Sequence, residues 1–230
     1  EFRRVLFRSP MAALVGFLCP LVDGMDVASA GELKLALDAG ADPLSIGFAG
    51  PGKRAAELRQ AVASGVLLHV ESARELQLLA KAAQDLGMPA RVALRINPDI
   101  DPKTNHCIDT GQADSKFGIS YEEVLEHAKE IRALKYINII GLHLHIGSQI
   151  RELHVFENMC NKVNVIVENL EKLGFSFRFV DVGGGLGVNY DVPENEPIPN
   201  FASLFSIVHN HLAVGRSEER RVGKECLRLC

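Results

Sequence analysis

Three times along this chain a serine stands three residues ahead of a glutamate, just after a short apolar run: Ser29 with Glu32, Ser72 with Glu75, and Ser120 with Glu123. A serine hydroxyl at a helix start accepts the N–H three residues on, and a glutamate there reaches back, so each pair marks the beginning of a helix. The spacing of apolar residues behind these signals predicts helices over 32–39, 54–64, 72–86, 120–134, 155–173 and 200–212, several of them stopped by glycine. Between them, strands are expected over 24–27, 45–49, 66–70, 91–96, 137–146 and 177–182. Strand and helix alternate six times, and the strands read as apolar with little alternation between faces. That is the pattern of an α/β fold in which helices cover a parallel sheet. A closed barrel and an open doubly wound sheet both satisfy it, and the lack of a nucleotide fingerprint at the first turn favours the barrel.

The last expected strand runs directly into Gly183, Gly184 and Gly185. Glycines at the carboxyl end of a strand let bare backbone N–H groups face an anion with no Cβ in the way, which points to a phosphate. Two nucleotide motifs fail here. A G-x-G-x-x-G series begun at Gly183 or Gly185 meets Val188 or Tyr190 where its last glycine belongs, and the G-x-x-x-x-G-K match ending at Lys53 is followed by Arg54, not Ser or Thr.

A formal charge of −4 on 230 residues argues against nucleic acid, and no apolar run is long enough to span a bilayer, so the expected partner is a small molecule and not a membrane. Residues 1–10 and 216–230 differ from the rest in composition and are read as non-native tails around one domain, 11–215. Within that domain Cys19, Cys107 and Cys160 show no repeated spacing, which suggests reduced thiols and a cytoplasmic setting. The polar stretch 99–116 is too long for a simple connector.

Polar residues gather at or just beyond the expected strand ends: Asp26, Glu71, Arg95 with Asn97, His145 with Ser148 and Gln149, and the three glycines. In either architecture these ends converge on one mouth. His143 and His145 alternate by two and share a face of their strand. They could be a core pair, the start of a metal site needing further ligands from other strands, or the wall of a pocket in which an imidazole lies flat on an aromatic cofactor while Ser148 reaches its phosphate. The metal reading is the weakest, and no metal is expected.

The blocks MDVASAGEL, RINPDIDPKT, DTGQADSKFGI, GLHLHIGSQI and FVDVGGGLGVNY resemble the diaminopimelate decarboxylases, pyridoxal 5'-phosphate enzymes of the alanine-racemase-like barrel group. The resemblance covers about residues 24–212 and implies a partial (β/α)8 TIM-type barrel, about strands 2 to 7 of eight, without the C-terminal β domain. It implies that His145 stacks on the pyridine ring, that Ser148 and the N–H groups of Gly183, Gly184 and Gly185 hold the phosphate, and that Asp26 and Arg95 line the pocket. It further implies an amino-acid substrate, meso-diaminopimelate, converted to L-lysine and carbon dioxide, and a homodimeric parent. Another barrel decarboxylase of the same cofactor, polyamine- or exopolysaccharide-linked, or a non-catalytic relative like the antizyme inhibitors, are the alternatives.

Departures from the pattern matter as much. The family's Schiff-base lysine belongs to an A-V-K-A-N block, and this sequence contains none; Lys34, Lys53, Lys81, Lys103 and Lys116 all lack that context. The E-P-G-R block is also absent. The chain is therefore expected to be a catalytically inactive fragment. A barrel without its first and last strands would leave two bare sheet edges, prone to self-association.

Overall fold

A computed structural model describes residues 3–5, 11–98, 117–190, 194, 200–213 and 226–228. The stretch 99–116, with Cys107, Lys103 and Lys116, lies outside the described residues. The strands are β1 (Arg3–Val5), β2 (Gly24–Val27), β3 (Ile46–Phe48), β4 (Leu67–Val70), β5 (Ala90–Asn97), β6 (Ile119–Ser120), β7 (Ile137–His143), β8 (Phe179–Asp181) and β9 (Cys226–Arg228). The helices are α1 (Ala12–Leu18), α2 (Ala30–Asp38), α3 (Ala55–Ser64), α4 (Ala73–Leu86), α5 (Tyr121–Glu126), α6 (Ala128–Ala133), α7 (His154–Lys172) and α8 (Phe201–His211). The sheet runs β1-β2-β3-β4-β5-β7-β8-β9 with every pair parallel, and β6 adds to β5 near the end of that strand. This is the partial (β/α)8 barrel. All six expected strands are present in the expected order.

The bare edges expected on the first and last of those six strands are not found. β1 pairs with β2 and β9 pairs with β8, so the two ends read from sequence as foreign tails each supply a strand. A parallel sheet offers a free row of N–H and C=O groups at each edge, and even a three-residue segment satisfies part of it.

The helix signals act as read. The hydroxyls of Ser29, Ser72 and Ser120 accept the N–H groups of Glu32, Glu75 and Glu123 at 3.2, 3.1 and 3.1 Å. A further cap was missed. Glu57 accepts the N–H of Arg54 and, from across the helix pair, the N–H of Ala30, both at 3.1 Å, so it joins the starts of α2 and α3. Burial works against its ionisation, but these hydrogen bonds and the Arg54 guanidinium hold its carboxyl below the usual value. The single helix expected over 120–134 is two: the backbone turns at His127 (φ −99°, ψ 13°), whose Nδ1 lies 2.9 Å from Glu130 Oε2.

The strands are buried on both faces, as expected of apolar strands with little alternation, and the two faces differ in what they meet. Leu68, Val70, Leu94, Leu142 and Val180 belong to the main core, together with helix residues such as Leu79 and Met159. The intervening positions point the other way. Leu67, Ala93, Ile140 and Phe179 form a separate buried cluster inside the barrel, and beyond it toward the carboxyl ends come His69, His143 and Asp181, then Glu71 and Arg95. Gly141 makes room for this interior, since a Cβ there would stand 2.3 Å from the Phe179 ring. Each strand thus gives an apolar outer face to the helices and an increasingly polar inner face to the mouth. Among the described residues no helix is long and apolar enough to cross a membrane.

Candidate cofactor site at the barrel mouth

Two loops build one rim of the mouth. After β7 the chain runs through His145 and Ser148; after β8 it runs through the three glycines. The loops are laced together by Ile150 N–H to Gly185 O and Gly187 N–H to Ile150 O, both 2.9 Å. Gln149 adds two more bonds, accepting the Val188 N–H at 3.1 Å and donating to Val188 O at 3.3 Å. Its backbone is left-handed (φ 61°), a conformation that this pair of bonds compensates.

The glycines are required by space and by conformation. A Cβ on Gly183 would come within 2.6 Å of Leu144 O and 2.7 Å of His145 Nδ1, and one on Gly185 within 2.1 Å of Gly147 O. Their φ angles are +67° and +107°. So His145 and the glycine turn are in direct contact. The N–H of Gly183 is engaged, donating to Asp181 Oδ1 at 3.0 Å. Among the described residues no acceptor is found for the N–H groups of Gly184 and Gly185. The cradle therefore offers two of the three N–H groups read from the sequence.

His145 is half-buried, and burial with the positive charge of Arg95 pushes its pKa down to about 4, so its imidazole is neutral at physiological pH. Arg95 is fixed beside it. Its Nη1 donates to Glu71 Oε2 at 2.9 Å, and its guanidinium lies 5.0 Å from the centre of the Phe117 ring. Asp26 is buried near the end of β2, four strands from β7 in the sheet order. The structure thus gathers Arg95, His145, Ser148 and the glycines on one side, with Asp26 on a more distant strand.

A second glycine-rich turn follows β3, and it is closed on itself. Gly50 donates its N–H to Glu71 Oε1 at 2.5 Å, while its carbonyl accepts from Lys53 Nζ at 2.6 Å. Lys53 is buried, bonds His69 O at 2.8 Å and pairs with Glu75 Oε1 at 2.8 Å. Its ammonium is thus held by two backbone carbonyls and one carboxylate of opposite charge. Burial raises the Glu75 pKa despite the lysine. In the sequence Lys53 ends a G-x-x-x-x-G-K match that fails at Arg54, and Glu75 reads only as a helix cap; the alternation of side chains toward the interior is the signal that points to His69 and Asp181.

Comparison with known proteins identifies the family and the fold. The profile of the pyridoxal-dependent decarboxylases, pyridoxal binding domain, matches residues 10–219. Diaminopimelate decarboxylase of Aquifex aeolicus is 43% identical over 187 residues, covering 81% of this chain and 44% of that protein. The Zymomonas mobilis protein of the same name is 45% identical over 175 residues, covering 76% and 42%. The crystal structure of diaminopimelate decarboxylase from Helicobacter pylori complexed with L-lysine superposes with a TM-score of 0.84 at 34% identity, over 100% of this chain and 55% of that one. An arginine decarboxylase of Paramecium bursaria Chlorella virus, at 20% identity and a TM-score of 0.73, shares the fold. The chain spans about half the length of these relatives. Matched over residues 10–219, this chain belongs to the pyridoxal-dependent decarboxylase family, through that family's pyridoxal-binding domain.

Proposed function

We propose that this barrel holds pyridoxal 5'-phosphate at the mouth described above and is part of an enzyme that converts meso-diaminopimelate to L-lysine and carbon dioxide. The observation that carries the reading is the contact between His145 and the glycine turn, which sets a flat neutral ring next to free backbone donors. The residues fit the group. Gly184 and Gly185 direct N–H groups to the phosphate, Ser148 adds a hydroxyl, and a side chain on Gly185 would fill the cradle. A neutral His145 can lie against the pyridine face without placing a cation there, while Arg95, held by Glu71, and Asp26 line the pocket. The bound cofactor supplies an electron sink for the pair of electrons left when carbon dioxide departs. The substrate follows from relatives that carry the name diaminopimelate decarboxylase at 43% and 45% identity.

As written, the chain is proposed to bind this cofactor reversibly and to release no carbon dioxide. Lys53 is held by two carbonyls and a carboxylate, and Lys34 and Lys172 pair on the surface with Asp38 and Glu168, so none of these presents a free amine to the mouth. The test is a titration of the purified chain with pyridoxal 5'-phosphate followed by absorbance, then borohydride reduction and peptide mapping. Saturable binding weakened by Ser148→Ala, with no lysine adduct at the mouth, is expected. Binding unaffected by Ser148→Ala and Gly185→Ala would overturn the site, and carbon dioxide from meso-diaminopimelate would overturn the inactivity.

A further inference from the structure

One level below the mouth, three side chains from three strands meet in the barrel interior. His69 of β4, His143 of β7 and Asp181 of β8 are 1%, 5% and 0% exposed, and one ligand atom from each lies within 4.8 Å of the others. The imidazole rings of His69 and His143 are 4.4 Å apart, and His69 Nε2 faces Asp181 Oδ2 at 3.9 Å. Asp181 uses its other oxygen for the Gly183 N–H. His143 Nδ1 is buried with no hydrogen-bond partner, which costs stability unless something occupies it.

We propose that His69, His143 and Asp181 form a binding site for a divalent first-row transition ion, of which Zn²⁺ is the natural test case. Two imidazoles and one carboxylate are the donor set that such borderline ions prefer over Mg²⁺ or Ca²⁺. A tetrahedral zinc site with metal–nitrogen distances of about 2.0–2.1 Å places its ligand atoms roughly 3.4 Å apart, so small side-chain rotations close the present spacing. Burial and the nearby His69 and Arg95 keep His143 uncharged, as a ligand must be. The pairs Lys53–Glu75 and Arg95–Glu71 offset part of the local positive charge, and Asp181 supplies the carboxylate that a cation at this level requires. The site differs from the His143 and His145 pair weighed in the sequence: His145 stands beyond the strand end, and the partners of His143 come from two other strands. It does not depend on the cofactor reading.

The test uses the full chain, stripped with chelator and titrated with Co²⁺ as a spectroscopic stand-in. One equivalent bound at micromolar ion, with the visible d–d absorption of a low-symmetry nitrogen-ligated site, is expected. His69→Asn and Asp181→Asn should each weaken binding by about 10- to 100-fold. A His209→Asn, His211→Asn double variant on α8 should leave it unchanged. Zn²⁺ should raise the melting temperature of the unsubstituted chain by several degrees and leave that of His69→Asn where it was. A Co²⁺ spectrum lost in the α8 variant but kept in His69→Asn overturns the proposal. So does the absence of any such spectrum in the unsubstituted chain, a result that needs no variant to fold.

Discussion

The turn after β3 and the turn after β8 are both glycine-rich, both follow a buried parallel strand, and both open at the same end of the barrel, yet only the second leaves N–H groups without an acceptor among the described residues. At Gly50 the N–H is taken by Glu71 and the carbonyl by Lys53, so the peptide is satisfied from within. At Gly184 and Gly185 the N–H groups have no acceptor among the described residues, and the neighbouring histidine is uncharged. Glycine content alone does not make an anion cradle. What decides is whether a buried acid and base of the protein already complete the hydrogen bonds of the turn.

The contrast can be broken most severely at Lys53. Lys53→Met should cost about 3–5 kcal/mol of stability, because it leaves Glu75 buried without its cation; Glu75→Gln added to it should restore part of the loss. Urea denaturation of the single and double variants measures both. A smaller effect is expected from pH at the other turn. His145 stays neutral in the folded chain down to about pH 4, whereas its ordinary value is 6.5. Between these values the unfolded chain binds the extra proton, so this contribution is complete above pH 6.5 and falls as pH drops toward 4. It amounts to about 3 kcal/mol, and it should appear as a fall in denaturation midpoint that His145→Asn diminishes.

Gly185→Ala tests the cradle itself. The added methyl meets Gly147 O and the backbone is left-handed, so a loss of about 1–3 kcal/mol is expected, read as a tenfold or greater weakening in a pyridoxal 5'-phosphate titration. The mildest change sharpens the contrast from the other side. Nothing lies within 4 Å of a Cβ placed on Gly52, so Gly52→Ala should alter stability by no more than about 0.5 kcal/mol and cofactor affinity not at all.

Much of this architecture was legible because helix starts are written locally. Ser29, Ser72 and Ser120 need only a glutamate three residues on, and each makes the bond that the spacing promised. His145 and the glycines were legible for a similar reason, being contiguous with strand ends. What escaped notice depends on long-range pairing. His69 and Asp181 are single polar residues in apolar runs, and only the barrel's closure of β4 toward β7 and β8 turns them inward onto one another. Lys53 looked like a failed phosphate lysine because its partners, Glu75 and the carbonyl of His69, are reached only once β3 and β4 lie side by side. The break at His127 escaped because the apolar spacing continues through it, with Val124, Ala128 and Ile131 all buried.

Glu71 holds the Gly50 amide with one oxygen and Arg95 with the other. A mutational scan of the β3 turn would therefore misreport its own geography. Variants there would release Glu71 and so shift Arg95, scoring as defects in ligand recognition, and only a second assay of fold integrity would tell a displaced guanidinium from a damaged pocket.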